Sequence, residues 1–322
     1  MGHKKHLDKR LGSVLLDCRH MSLLPSLRDD DPSVKLIRST IRKVLLDNTS
    51  SKSESAPGDA SEIFRSKSAV WVCANEKHGT HVVKYTPKVS ESIHANEDAQ
   101  REAALLFSKV LEHPNIIRAF EAFETTSGTY MCLEHAKGGD LLNFMTEVRR
   151  GQLYETEARI VAKSVFTAVD FMHKTGYLHC DVKLENVLIM EAYQQIHENS
   201  IIKLSDFGFS RRVEDLPNRT MGSLEYAAPE LYTGPVRRNS EKSDVWACGV
   251  VLYTVIFCEM PFASDDDEDE EIKVPGSTVR RISQRIVHGR PLRFQRAHRR
   301  IHPSMPAMEL LKEMLDKNAV RR

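Results

Sequence analysis

The sequence has little of what marks secreted, membrane-spanning or nucleic-acid-binding proteins. Its six cysteines include no C-x-x-C pair, so neither a disulfide framework nor a zinc site is indicated. No apolar run is long enough to cross a bilayer. With 46 basic and 45 acidic side chains the net charge is +1, which gives no overall field for nucleic acid or a membrane. These absences favour a protein that works in the cytoplasm and/or the nucleus and that binds neither nucleic acid nor membranes.

Residues 1–60 are predicted to form an N-terminal extension with two amphipathic helices and a flexible linker. Apolar residues recur at helical spacing in 7–15 and 34–45, and Asp31-Pro32 is a typical start for the second helix. Residues 48–59 are rich in Ser, Gly and Pro. The second helix is interpreted either as a docking or autoregulatory element, or as a tail that packs its apolar stripe on the domain.

After residue 60 short strand-like runs precede a mostly helical region. Strands are predicted at 63–65, 70–74, 81–85, 116–124 and 130–134, with one helix at 97–111 among them. Helical periodicity dominates afterwards, at 140–149, 155–175, 240–258 and 278–288. The predicted class is α+β, with a β-rich N-terminal lobe and an α-helical C-terminal lobe.

The most informative segment runs from His179 to Asn186. It places an aspartate at 181, a lysine at 183 and an asparagine at 186, and Asp206-Phe207-Gly208 follows. Phosphoryl transfer needs an oriented hydroxyl, hard oxygen ligands for a divalent metal, and cations around the phosphates. These residue types in this order supply the first two and part of the third.

With these motifs the chain resembles the eukaryotic protein kinase family over residues 61–322. His179-Cys180-Asp181 stands at the family's HRD motif, Asp206-Phe207-Gly208 at DFG and Ala228-Pro229-Glu230 at APE. The resemblance implies a bilobal fold, with an N-lobe at 61–135 and a C-lobe at 136–322 that lacks the final helix. The sequence segments DVKLEN, DFGFS and GSLEYAAPE are similar to those of the calcium/calmodulin-dependent kinase group, especially its AMP-activated relatives.

The resemblance also implies roles for the motif residues. Asp181 would orient the substrate hydroxyl and accept its proton, Lys183 marks the Ser/Thr type, and Asn186 and Asp206 would hold Mg²⁺. Lys84 would contact the ATP phosphates. Its implied partner is Glu102, with Glu97 as the alternative.

Other positions follow from the same resemblance. The backbone of Glu134 and Ala136 would meet adenine beside the gatekeeper Leu133, and Asp140 is a further nucleotide-site candidate. Asp244 would anchor the catalytic loop, and Arg322 would pair with Glu230.

The expected partners are proteins that carry a Ser or Thr to be phosphorylated, and the oligomeric state stays open. Asp140 and Glu185 match acidic positions that receive an arginine upstream of the target, by charge-assisted hydrogen bonds. The alternative is that Asp140 only caps its helix and Glu185 is solvated. Thr254 stands at a third position where such kinases have an acid.

Three departures from the family pattern matter. Ile63, Arg65 and Ser68 occupy the positions of the glycine-rich loop, where Cβ atoms hinder close approach of backbone to phosphate. Cys180 replaces the HRD arginine and Arg219 the usual phosphosite, so the enzyme is not expected to depend on activation-loop phosphorylation. The acidic run 265–271 is a solvated loop, or it attracts basic substrates or the basic N-terminal helix.

Two functions remain in competition. A Ser/Thr protein kinase is favoured because Lys84, Asp181, Lys183, Asn186 and Asp206 are all retained. A pseudokinase that acts as a binding or scaffolding module is the alternative, supported by the missing glycine-rich loop and by Cys180.

Overall fold

The computed structural model describes residues 69–75, 78–88, 93–217, 220–233, 238–262, 277–289 and 303–322. Contacts divide the chain into two compact units. The first, here the sheet unit, takes in the described residues up to Lys109 together with Arg118–Glu134. The second, here the helical unit, takes in Val110–Ile117 and the described residues from His135 to Arg322.

The sheet unit is built on four antiparallel strands in the order β1-β2-β4-β3. The strands are β1 (Ala69–Asn75), β2 (Gly79–Pro87), β3 (Ala119–Glu124) and β4 (Gly128–Glu134). Burial alternates along β2, as expected of a strand with one face on a core. The core cluster contains Trp71, Cys73, Val83, Tyr85, Phe123, Tyr130 and Cys132.

Helix α1 (Ile93–Phe107) packs on this sheet and ends four residues before the predicted end at Leu111. Lys109 has a φ of 60°, a left-handed conformation that stops the helix. Ser108 satisfies two of the last carbonyls, with its N–H on Ala104 O and its hydroxyl on Leu105 O. The predicted strand 116–124 is also shorter than expected, because Ile116 instead forms a bridge with Leu204 in the helical unit.

The helical unit contains the remaining helices and two small strand pairs. Its helices are α2 (Leu141–Asn143), which continues as a π-helix over Phe144–Arg149, then α3 (Glu155–Lys174), α4 (Glu241–Phe257), α5 (Ser277–His288) and α6 (Met305–Met314). The strand pairs are β5 (Tyr177–Leu178) with β8 (Arg211–Arg212), and β6 (Val187–Ile189) with β7 (Ile202–Leu204). Helix α4 is buried on nearly every side, so it forms the centre of this unit. The α+β prediction is confirmed, and α6 is a helix that the sequence pattern did not predict.

Several predictions lie outside the described residues. These are the extension 1–60, the strand 63–65, the glycine-loop positions Ile63, Arg65 and Ser68, the residue Arg219 and the acidic run 265–271. Within the described part, none of the helices is both long and apolar enough to span a membrane.

Candidate active site

Lys84 of β2 forms an ion pair with Glu102 of α1. Its Nζ lies 2.8 Å from each carboxylate oxygen of Glu102. Glu102 is only 3 % exposed and stands among the buried Ala103, Leu105 and Leu106. A carboxylate buried in this way requires a cation, so each partner holds the other in place. Of the two candidate glutamates, Glu102 is the one that the structure brings to Lys84.

The sheet face that carries Lys84 also carries apolar residues that the sequence reasoning did not select. In the β1–β2 pairing Val70 stands opposite Lys84 and Val72 opposite Val82, and residues directly opposite in an antiparallel pair share a face. Val70 is 62 % exposed and Val72 47 % exposed. An apolar strip beside a buried ion pair suits the flat face of a nucleotide base. The alternation of valines in Val70-Trp71-Val72 was the available signal.

The catalytic loop is anchored by one buried carboxylate at the start of α4. Asp244 accepts the backbone N–H groups of His179 and Cys180, each at 2.9 Å, and lies 2.9 Å from His173 Nε2. Asp244 is 1 % exposed, so these donors replace the water that a buried carboxylate loses. Cys180 has a φ of 66°, a strained backbone conformation that the hydrogen bonds to Asp244 stabilise.

Asp181, Lys183 and Asn186 lie together with Ser223 of the activation segment. The Asp181 carboxylate accepts the Ser223 N–H at 2.7 Å on one oxygen and the Asn186 Nδ2 at 3.2 Å on the other. Lys183 Nζ lies 3.2 Å from Asp181 Oδ2 and donates to Ser223 Oγ at 2.9 Å. The carboxylate therefore has a defined direction, as a group that orients a substrate hydroxyl must have.

Asp206 is tied to this loop through its neighbours on both sides. Ser205 donates its N–H to Asn186 O at 2.9 Å, and its own carbonyl lies 3.1 Å from His179 Nε2. Phe207 is fully buried and meets the His179 ring edge-on, with centroids 5.1 Å apart. Asp206 has a φ of 60°, which turns the chain at this point. The predicted metal ligands Asn186 and Asp206 are therefore held by one network.

His179 works in this network as a neutral ring. Burial lowers the pKa of its imidazole, against the opposing effects of the carboxylates of Asp244, Asp181 and Asp206. The Asp181 N–H lies 3.2 Å from Nδ1, so Nδ1 accepts and Nε2 donates to Ser205 O. Its task is to connect the two aspartate segments.

The residues present fit a magnesium nucleotide better than a metal held by protein alone. Among the described residues no group of three or more His, Cys, Asp or Glu side chains could hold a metal ion. Asn186 uses its Nδ2 on Asp181, with Asp181 O at 2.8 Å, which directs Oδ1 away from that carboxylate and leaves it as the amide's ligand atom. An amide oxygen and a carboxylate are hard ligands, and Mg²⁺ commonly takes few protein ligands and completes its shell with phosphate and water.

The hinge candidates lie around the end of β4. Glu134 is the last residue of β4, and its N–H donates to Arg118 O at 3.0 Å, while its Oε1 accepts the Arg118 N–H at 2.7 Å. Ala136 accepts the Gly139 N–H at 3.1 Å. Asp140 caps α2, since its carboxylate accepts the Asn143 N–H at 2.8 Å and the Asn143 Nδ2 at 2.5 Å.

The two other residues at positions considered for binding a substrate arginine, Glu185 and Thr254, differ in environment. Glu185 is exposed on the short turn Leu184–Asn186. Its carboxylate lies near Tyr226, where it adds to the effect of burial in raising the pKa of that phenol. Thr254 is buried in α4, and its hydroxyl donates a hydrogen bond to Val250 O at 2.8 Å. It therefore cannot take the place of an acidic residue at the surface.

Cys180 is enclosed by apolar residues. It forms a buried cluster with Leu178, Leu216 and Met221. Burial raises the pKa of its thiol, and Asp244 adds to that effect, so the thiol stays protonated at neutral pH. This side chain contributes packing and offers no charge for a phosphate.

Glu230 and Arg322 form a second ion pair, in which the arginine is buried and the glutamate partly exposed. Arg322 Nη2 donates to Glu230 Oε1, and the Arg322 side chain has no solvent exposure. The guanidinium lies 5.1 Å from the Trp246 ring, which in turn stacks on Phe262. The stack holds the segment that follows the activation segment against α4.

Comparison with known proteins agrees with this geometry. The family model described as the protein kinase domain matches residues 66–322. The chain belongs to the protein kinase domain family. Similar curated relatives include a carbon catabolite-derepressing protein kinase from Secale cereale, 34 % identical over 213 residues, which are 64 % of this chain and 40 % of the relative.

Two further relatives are comparable in identity. A CBL-interacting protein kinase 2 from Oryza sativa subsp. japonica is 35 % identical over 212 residues, which are 61 % of this chain and 44 % of the relative. The serine/threonine-protein kinase GIN4 of Saccharomyces cerevisiae is 35 % identical over 174 residues, or 53 % of this chain and 14 % of the relative. This kinase-domain chain therefore matches less than half the length of each. The predicted relationship to Ser/Thr kinases of the AMP-activated-related group is confirmed.

Proposed function

We propose that this protein is a Ser/Thr protein kinase that transfers the γ-phosphoryl group of ATP to a Ser or Thr hydroxyl of a protein. The observation that carries the proposal is the orientation of Asp181, whose two carboxylate oxygens are held by the Ser223 N–H and the Asn186 amide. A carboxylate fixed by two donors on different segments suits the alignment of a hydroxyl.

Each of the selected groups has a role that its contacts within its own unit support. Asp181 orients the substrate hydroxyl and takes its proton. Lys183, between Asp181 and Ser223, provides positive charge where negative charge develops. Lys84, oriented by Glu102, binds phosphate. Bound magnesium ATP supplies the phosphoryl group and neutralises charge on it, with Asn186 and Asp206 as the residues that would hold the metal.

The base-binding groups in this proposal come from β1, β2 and the residues at and after the end of β4. The strip of Val70, Val72 and Val82 beside Lys84 provides apolar contact for adenine. The backbone of Glu134 and Ala136 provides its hydrogen bonds, and Asp140 lies next in the chain at the start of α2. The apolar strip supports nucleotide binding in a chain whose sequence lacks the glycine-rich loop.

Activity is proposed to be independent of phosphorylation of the activation segment. Cys180 is neutral and packed among Leu178, Leu216 and Met221. A phosphate near it would meet a neutral thiol in place of a cation at this position, and it would lie beside an apolar cluster. The contacts of Ser223 with Asp181 and Lys183 already form without a modified residue.

Substrates are proposed to be proteins with an arginine upstream of the target residue. Glu185 is exposed and its carboxylate is on the same turn as Asn186, so it is placed to bind a guanidinium. Asp140 shares its carboxylate with its own helix, and we assign it the smaller part. The cytoplasm and/or nucleus is the proposed place of action, in keeping with the scattered cysteines.

The test compares the wild-type protein with Asp181→Asn and Lys84→Met. Each is incubated with labelled ATP, magnesium and a Ser/Thr peptide with an upstream arginine. Transfer by the wild type that both substitutions abolish is the expected result. Equal background in all three proteins would refute the kinase and support the pseudokinase, for which the absent glycine-rich loop is the favouring observation.

A further inference from the structure

Asn239 holds the backbone of the activation segment at Met221. Its side-chain oxygen accepts the Met221 N–H at 3.1 Å, and its Nδ2 faces Met221 O at 3.5 Å. Asn239 is 4 % exposed and Met221 3 % exposed, so the contact is shielded from water. A side-chain amide that meets both backbone groups of one residue acts like a short piece of paired strand. The shorter contact carries most of the interaction.

The position of Asn239 is itself fixed by the start of α4. The next residue, Ser240, caps this helix and exchanges hydrogen bonds with Ser243. The same turn carries Asp244, which holds the N–H groups of His179 and Cys180. One helix end therefore holds the catalytic loop through Asp244 and the activation segment through Asn239.

The two held segments meet at the residue that follows Met221. A Cβ built on Gly222 would lie 2.0 Å from Cys180 O, which shows how closely the two backbones approach. The next residue, Ser223, gives its N–H to Asp181 at 2.7 Å. Movement of Met221 would therefore shift the hydrogen bond that orients Asp181.

We propose that Asn239 is a positioning residue for phosphoryl transfer, which keeps residues 221–223 against the catalytic loop in the unmodified protein. This inference rests on the proposed kinase activity. Asn239 touches neither nucleotide nor peptide in this scheme and acts through Met221 and Ser223. A neutral hydrogen-bonded clamp fits the apolar surroundings of Cys180, where an ionic contact would lose its hydration.

The test uses Asn239→Leu, which keeps the approximate volume and removes both hydrogen bonds. The control is Asn318→Leu, because Asn318 also accepts a backbone N–H, that of Val320 at 3.0 Å, on an exposed turn of the C-terminal residues. Two readouts are measured on the full chain without phosphorylation. They are hydrogen exchange of the backbone amides in residues 220–226, and the KM and kcat for peptide and ATP.

In Asn239→Leu we expect exchange in residues 220–226 to rise and kcat per folded molecule to fall, each about tenfold, the value of a buried hydrogen bond and its unsatisfied partner. The KM for ATP should stay within about twofold on the same reasoning, because no nucleotide ligand is moved. Asn318→Leu should match the wild type. A smaller folded fraction alone would lower the apparent kcat and leave kcat per folded molecule unchanged.

Two results would overturn the inference in different ways. Unchanged exchange and unchanged kcat per folded molecule in Asn239→Leu, beside an active wild type, would refute the positioning role alone. Absence of transfer by the wild type would refute the kinase proposal, and the positioning role would fall with it.

Discussion

Ser223 donates its backbone N–H to the Asp181 carboxylate over 2.7 Å, while its hydroxyl oxygen accepts a hydrogen bond from Lys183 Nζ at 2.9 Å. One residue of the activation segment thus contacts both charged residues of the catalytic loop. The arrangement of the reacting groups depends on where this segment lies, and not on the catalytic loop alone.

The Ser223 hydroxyl is therefore expected to contribute to catalysis. In Ser223→Ala the backbone bond to Asp181 persists, but Lys183 loses an acceptor and is less well placed. We expect kcat to fall about tenfold, in line with about 1.5 kcal/mol for a hydrogen bond to a charged group. Ser223→Thr keeps the hydroxyl and should recover activity to within about threefold by the same measure. Equal kcat values for the alanine and threonine variants in a peptide assay would contradict this role.

Gly222 is expected to be indispensable for a steric reason. It has a φ of 88°, and an added Cβ would lie 2.0 Å from Cys180 O. Gly79, with a φ of 62° and no atom within 4 Å of an added Cβ, is the matched control. Both alanine variants have the cost of a left-handed residue, about 1–2 kcal/mol, and only Gly222→Ala also has the clash.

The measurement is urea unfolding together with peptide phosphorylation. Gly79→Ala should lose that modest stability and keep its activity. Gly222→Ala should be inactive even at temperatures where it is folded, since the backbones must separate and Ser223 then leaves Asp181. If both variants behaved alike in the activity assay, the close approach at Cys180 would have no functional meaning.

The sequence predicted most of the chemistry because motif residues lie close in the chain. Asp181, Lys183 and Asn186 fall within six residues, so local geometry brings them together wherever the loop is placed. The strands β1 and β2 were predicted as short runs of strand-forming residues. Lys84 and Glu102 are 18 residues apart, and the resemblance to the protein kinase family selected them, with Glu97 as the alternative.

What the sequence did not reveal depends on contacts between distant segments or on the local backbone conformation. Asn239 precedes a helix cap, where asparagine is common for local reasons, and its clamp on Met221 requires the fold. The end of α1 at Phe107 is set by the left-handed Lys109, which periodicity cannot report. The sequence allowed two roles for Asp140, capping its helix or binding a substrate arginine. Only the structure shows that its carboxylate accepts the Asn143 N–H.

Because Lys84 pairs with Glu102, two similar substitutions on helix α1, Glu102→Gln and Glu97→Gln, should differ in their effect on activity. Glu102→Gln removes the negative charge that faces the Lys84 ammonium, and loss of one member of a buried pair costs about 2–5 kcal/mol. We expect kcat/KM for ATP to fall at least about tenfold, since each 1.4 kcal/mol is a factor of ten. Glu97→Gln, on the same helix, should stay within about twofold by that reasoning. Equal loss in both variants would mean that Glu102 is not the functional partner.

The Cys73 thiol should make the free energy of unfolding fall as pH rises through the alkaline range. It is 2 % exposed in the core of the sheet unit, and burial raises the pKa of its thiol from 9.0 to about 11. Below pH 9 the thiol is protonated in both states and adds no slope. Between pH 9 and 11 the unfolded chain loses this proton first, so the unfolded state binds fewer protons and the free energy of unfolding falls as pH rises.

Urea unfolding of the wild type and of Cys73→Ala at pH 8 to 11 measures this contribution. We expect the alanine variant to be less stable at pH 8 because it leaves a cavity, and to lose less stability than the wild type on going to pH 11. Val83→Ala, a truncation of a buried residue in the same cluster, controls for the cavity, because it removes no titrating group. Its curve should run parallel to that of the wild type. A Cys73→Ala curve that is parallel as well would show that this thiol does not titrate differently in the folded and unfolded states.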